Sequence, residues 1–243
     1  GTPLLRDYNT SWDAGPPVDL VLLETTYGDR EQPGQASDLL ARLESAVRHA
    51  LLNVGHILVP TFAIGRAQVL LYLLNELVES GRLPDIPVAV DTPMGLTVTE
   101  TYKRFRKLYD RESLAKLERG DDPIDFDDLY AVREGKHSRR LDELTHPVII
   151  LAGSGMCTGG RIVAHLKKLL PLAATDVIFV GYQSEGTTGA RLQRIGETQE
   201  AAKDHQAHGP VPTVWLDGQP VEVRAGITTL RGFSAHADRR ELW

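Results

Sequence analysis

Cysteine is almost missing: Cys157 is the single one in 243 residues. An intrachain disulfide is thereby excluded, and a cytoplasmic location fits best. No apolar run approaches the roughly 20 residues that cross a bilayer, so no membrane-spanning helix is expected, and no secretory signal is expected either. An excess of positive charge is missing too. Lys and Arg number 27 against 33 Asp and Glu, a net charge of -6. A protein that coats nucleic acid over its whole surface is usually basic, so any nucleic-acid site here must be local. There is no Gly-x-Gly-x-x-Gly turn after the first apolar run, and no Gly-Lys-Ser/Thr after the Gly153-Ser154-Gly155 loop. These absences argue against a dinucleotide-binding domain and against a phosphate-binding P-loop. Internal repeats and low-complexity tracts are absent as well.

What is present is an ordinary globular composition, 42% hydrophobic and 25% charged, long enough to bury a sizeable core. Short apolar runs alternate with helical periodicity. Val18–Leu23, His56–Pro60, Pro87–Asp91, Val148–Ala152 and Val177–Val180 read as buried strands. Between them, Leu39, Leu43, Val47, Ala50 and Val54 recur at helical spacing up to Gly55, and Ile64–Glu79 forms a longer helix ended by Gly81. Val98 to Tyr109 and Thr158 to Leu170 predict two more helices. The charge-rich stretch Arg111–Arg140 reads as short helices and loops, residues 197–212 as a hydrophilic insertion, and Pro220–Val223 as the start of a closing strand or hairpin. Continuous rather than alternating apolar strands, interleaved with helices, predict an α/β fold with a mostly parallel sheet covered on both faces.

Ligands of such sheets bind beyond the carboxyl ends of the strands. Glu24, Thr61, Arg66, Asp91, Ser154, Gly155, Gln183 and Thr187 all fall there, and His236 follows in Ser234-Ala235-His236-Ala237-Asp238. Each residue also has an ordinary reading. Glu24 could be a polar strand end, Asp91 before Thr92-Pro93 a turn residue, and Ser154-Gly155 either a tight turn or an anion site made of free N–H groups. Arg66 near a helix start opposes the macrodipole, a mild misfit that points to a task. His165 faces either the site or the apolar stripe of Ile162, Leu166 and Leu169.

Six ordered segments taken together are more specific. Glu24-Thr25-Thr26-Tyr27-Gly28-Asp29-Arg30, Pro60-Thr61-Phe62-Ala63-Ile64-Gly65-Arg66-Ala67-Gln68, Asp91-Thr92-Pro93-Met94, Gly153-Ser154-Gly155-Met156-Cys157-Thr158-Gly159-Gly160-Arg161, Gly181-Tyr182-Gln183-Ser184-Glu185-Gly186-Thr187 and Phe233-Ser234-Ala235-His236-Ala237-Asp238 resemble signatures of the β-CASP nucleases of the metallo-β-lactamase superfamily. The prokaryotic homologues of the cleavage and polyadenylation endonuclease subunit are the branch the chain is most similar to. The resemblance implies a zinc-dependent ribonuclease that hydrolyses phosphodiesters of single-stranded RNA, with two metals about 3.5–4 Å apart. It implies Glu24 and His236 as catalytic residues, the latter as a metal ligand in the family's motif C. Arg66, Ser154, Gly155, Arg161 and Thr187 become phosphate- or RNA-binding residues, and His165, Asp91 and Arg191 further candidates. The family's motif B histidine, which pairs with the acid of motif A, falls at Arg191.

The resemblance also implies a domain plan. Residues 1–35 are a remnant of the metallo-β-lactamase αββα domain, 36–175 the β-CASP domain, and 176–243 the return, with an insertion around 196–213. The His-x-His-x-Asp-His metal signature of the family is absent from these residues, the chain opens on Gly1-Thr2-Pro3, and both ends look cut. The expectation is therefore a fragment that holds no zinc and is inactive alone. A homodimer is a further candidate assembly. The alternative is a non-catalytic β-CASP paralogue that binds RNA or a protein.

Overall fold

The computed structural model describes residues 4–5, 19–20, 22–29, 31, 36–205, 210–233, 236–237 and 239–242. The chain runs through α1 (Ala36–Leu51), β1 (Ile57–Pro60), α2 (Arg66–Glu79), β2 (Val88–Asp91), α3 (Pro93–Arg104), α4 (Arg111–Glu118), β3 (Leu129–Ala131) and α5 (Gly135–Leu141). It continues through β4 (Ile149–Ala152), α6 (Arg161–Leu169), β5 (Asp176–Phe179), α7 (Thr188–His205), β6 (Thr213–Leu216), β7 (Gln219–Glu222), β8 (Gly226–Thr229) and α8 (Arg239–Leu242). Six strands form one sheet in the order β3-β2-β4-β1-β5-β8, and every pairing in it is parallel. β6 and β7 make a separate antiparallel hairpin.

The apolar strands are continuous because both faces are covered. Ile57, Val59, Ile149, Leu151 and Ile178 point into a core shared with α1 and α2. Leu58, Ile150, Val177 and Phe179 point into a second core with Ile162 and Leu166 of α6 and Val214, Leu216 and Val221 of the hairpin. Successive residues of one strand thus serve opposite layers. No described helix is long and apolar enough to cross a membrane.

The expected α/β architecture is the observed one, with several local differences. Val18–Leu23 was expected as a strand. Its described residues Leu20, Leu22 and Leu23 lie outside any strand and are 73%, 88% and 62% exposed. An apolar run becomes a strand only where a neighbour takes its backbone hydrogen bonds, and no described residue does so. Arg111–Arg140 contains β3, which pairs only with β2 and leaves Tyr130 exposed. This edge position explains its lack of an apolar signature. Most of 197–212, expected as an insertion, belongs to α7; residues 206–209 lie outside the described ones. Its helical signal is weak because few of its residues face the core. Gly196 brings α7 against β8, where a Cβ would stand 2.8 Å from the carbonyl oxygen of Ile227.

The helix expected to run to Gly55 ends at Leu51, and Gly55 instead admits the carbonyl of Ala174, only 1.9 Å from where a Cβ would sit. α3 starts earlier than expected, capped by Thr92, whose hydroxyl oxygen accepts from the Gly95 amide at 3.3 Å, with Pro93 in its first turn. α6 starts later, at Arg161. A domain division at 175/176 falls just before β5, yet β5 and β8 hydrogen-bond into the same sheet as β1.

Leu74, 1% exposed in the middle of α2, tests this packing. Leu74→Ala should cost about 2–5 kcal/mol, measured as a fall in the urea midpoint. Leu52→Ala, at a position 78% exposed, should stay within about 0.5 kcal/mol of the parent.

Candidate active site at the carboxyl edge of the sheet

The strand order places the loops after β2, β4, β1 and β5 side by side, and they are tied together. Thr61, just past β1, donates its amide to the carbonyl of Ala152 at 2.9 Å. The loop after β4 touches the loops after β1 and β5. A Cβ on Gly155 would meet the Phe62 ring at 2.7 Å, and the Gly155 carbonyl accepts from Gln183 Nε2 at 2.7 Å.

Glu24 and His236, expected as catalytic, are brought together. His236 Nδ1 lies 3.2 Å from Glu24 Oε2, both side chains being half exposed. Among the described residues no strand precedes Glu24, which stands just before a turn: its Oε2 accepts from the Thr26 amide at 3.1 Å. That backbone hydrogen bond, then the Thr26 side chain, and less strongly His236, hold the carboxyl below its ordinary value. Tyr27 is buried beside the pair and meets both Tyr182 and His236 edge-on, with ring centroids 5.9 Å apart in each case. A cleft of about 500 Å³ opens between Tyr27, Tyr182, Gln183 and the ends of β5 and β8.

The family's position for the histidine that pairs with the acid falls on Arg191. The structure gives that contact to His236, while Arg191 is exposed on α7. The two segments are more than two hundred residues apart in sequence, so spacing carried no signal for the pairing.

Arg66 is the first residue of α2 and half buried. Its Nε is buried without a hydrogen-bond partner, and the described residues offer its guanidinium no carboxylate. Burial pushes its pKa down, with Tyr27 acting in the opposite direction. A cation held half out of water without a counter-charge is costly unless an anion completes it.

The other phosphate candidates are occupied internally. Ser154 forms the tight turn that was one of its two readings. Its amide donates to Gly159 O at 3.1 Å, its carbonyl accepts from the Cys157 amide at 3.1 Å, and its hydroxyl oxygen accepts from the Thr158 amide at 3.3 Å. Gly155 in the same turn seats the Phe62 ring. Thr187 caps α7: its hydroxyl donates to Ser184 O at 2.7 Å and accepts from the Ala190 amide at 3.2 Å. Arg161 turns inward and does not fork outward to a phosphate. Its guanidinium ion-pairs with Asp91 and donates to Val132 O at 2.8 Å and Arg133 O at 2.6 Å.

Asp91 and His165 belong to this buried network and are far from being a surface turn and an apolar-stripe residue. Asp91 is fully buried; it accepts from the Ser138 hydroxyl at 2.5 Å and meets His165 Nε2 at 2.7 Å. The other ring nitrogen meets Asp142, whose second oxygen lies 3.3 Å from Lys168 Nζ. Asp142 and Ser138 escaped the sequence reading because they sit in a polar stretch without motif or period. Burial alone would depress the His165 pKa, but Asp142 and Asp91 overcome it and raise it to about 9.

A Beta-Casp domain matches residues 67–192, just over half of the chain, and a Zn-dependent metallo-hydrolase RNA specificity domain matches 220–243. The chain belongs to the Beta-Casp family, within the metallo-β-lactamase superfamily of hydrolases. It is 37% identical over 227 residues to Ribonuclease TTHA0252 of Thermus thermophilus, an alignment covering 93% of this chain and 48% of that protein. To Transcription termination factor FttA of Pyrococcus abyssi it is 29% identical over 248 residues, covering 99% and 35%. To FttA of Methanothermobacter thermautotrophicus it is 32% identical over 234 residues, covering 93% and 34%. The chain thus spans about half or less of the length of these relatives.

Zinc takes about four nitrogen, sulfur or oxygen ligands. Among the described residues no group of three or more His, Cys, Asp or Glu could hold a metal ion. His236 presents Nδ1 to Glu24. By themselves the described residues therefore do not make up a zinc site.

The sign of the His165 shift fixes a pH dependence. A folded-state pKa of about 9 against an ordinary 6.5 means that the protonated ring stabilises the fold below about pH 6.5, and that this stabilisation is lost as pH rises through about 9. Urea midpoints measured from about pH 6 to 10 should fall across that window, and His165→Gln should flatten this part of the profile.

Proposed function

We propose that this chain forms the RNA-engaging wall of a phosphodiester hydrolase, with Glu24 and His236 as its proton-handling pair and Arg66 as its phosphate contact. The observation that carries the reading is the contact of His236 Nδ1 with Glu24 Oε2 at 3.2 Å, on the same edge as a half-buried guanidinium that has no carboxylate partner among the described residues. Glu24, kept ionised, accepts the Nδ1–H of His236 and so fixes the ring's orientation and tautomer. The protonated imidazole can then deliver a proton to the oxygen that leaves a phosphodiester. Arg66 matches the charge and planar donor geometry of a phosphate. The names of the relatives, a ribonuclease and a transcription termination factor, support RNA as the substrate class, as does the RNA specificity domain that spans His236.

In single-turnover cleavage of a labelled single-stranded RNA by a whole hydrolase that contains this chain, His236→Ala and Glu24→Gln should each lower the rate by about 10²–10⁴-fold and leave Kd within about twofold. Rates within twofold of the parent would remove both from the proton-transfer role. Arg66→Ala should weaken RNA binding at an unchanged melting temperature. Removing one phosphate contact should also make the slope of log K against log salt shallower by about 0.7. A lower melting temperature with an unchanged slope would make Arg66 a structural residue.

A further inference from the structure

The carboxyl edge carries large apolar side chains that the cores do not cover. Phe62 is 41% exposed, Ile64 68%, Met94 65% and Tyr182 40%. Phe62, Ile64 and Tyr182 lie on the loops after β1 and β5 and Met94 in the first turn of α3 after β2, and the strand order sets them around the loop of β4. Phe62 is exposed without being loose. Its ring is seated on Gly155, where a Cβ would come within 2.7 Å of it, and Gly155 is itself held by Gln183. Tyr182 is fixed edge-on against Tyr27. Four residues after Phe62 stands Arg66, whose Nε has no partner.

We propose that this edge is a base-stacking platform for single-stranded nucleic acid: Phe62 and Tyr182 receive unstacked bases, Ile64 and Met94 extend the apolar floor, and Arg66 takes a backbone phosphate. The inference rests on the phosphate role given to Arg66 above and adds the recognition of bases. Exposed, seated rings beside an unmatched cation fit a strand that offers π-faces and phosphates together. A purely apolar protein surface would bury the guanidinium further and leave its charge unmatched.

Fluorescence anisotropy with an oligoadenylate and with an abasic ribose-phosphate oligomer of the same length separates base from backbone. Stacking contributes enough that Phe62→Ala should weaken oligoadenylate binding by about tenfold or more while leaving the abasic oligomer within twofold. Phe62→Tyr, which keeps the ring, should bind like the parent. Arg66→Ala should weaken both ligands. The platform is overturned if the parent protein does not bind oligoadenylate, if Phe62→Ala leaves it unchanged, or if Phe62→Ala weakens both ligands equally. A concentration-dependent dimer lost in Phe62→Ala, without oligoadenylate binding, would assign the patch to a second copy of the chain and likewise refute it. Should Arg66→Ala change neither ligand while Phe62→Ala still weakens oligoadenylate selectively, the phosphate role of Arg66 fails and the platform stands.

Discussion

A carboxylate withdrawn completely from water has to be matched by cations and hydrogen bonds, and Asp91 imposes that demand at the carboxyl end of β2. The response comes from three segments: Ser138 in α5, the α5–β4 connection through Asp142, and Arg161 and His165 one turn apart on α6. Burial raises the Asp91 pKa, but His165, Ser138 and Arg161 together bring it below its ordinary value, so Asp91 is ionised. Withdrawing one cation would leave an uncompensated buried charge, at a cost of about 3–5 kcal/mol. The orientation of α6, and with it the Gly153–Gly160 turn that precedes it, depends on that match. This turn is the part of the fold that meets Phe62 and Gln183, so a network away from the Glu24–His236 pair shapes the edge on which the pair sits.

The central strands and helices were legible because burial on both sides leaves a simple trace, an apolar run of strand length or a stripe of helical period. β1, β2, β4, β5 and α2 were found within one or two residues. What escaped had a physical reason in each case. β3 is an edge strand with an exposed Tyr130, α7 shows the core only a few residues, and Val18–Leu23 has the composition of a strand without a described partner to make it one.

The site was legible as a set of residues and not as a set of contacts. Glu24, His236, Arg66, Asp91, Arg161 and His165 were all singled out, yet their division into an open group and a buried group was invisible. Arg66 and Arg161 look alike in the sequence, each opening a helix after a strand. Only the position of Asp91 separates them: one guanidinium is consumed by a buried carboxylate, and the other is left facing the site. The pairing of Glu24 with His236 likewise joins residues from opposite ends of the chain, and no local pattern announces it.

The seat of Phe62 on Gly155 has an entropic side. An aromatic ring on a mobile loop must give up its rotational freedom when anything settles on it, which lowers affinity by about 0.5–1.5 kcal/mol for each side chain immobilised. Here the backbone of one loop and the Gln183 amide of another restrain the ring in the free protein. That ordering loss is met during folding, so a flat ligand landing on Phe62 would find a surface stiffened in advance, and little of its contact energy would be diverted into arresting the ring.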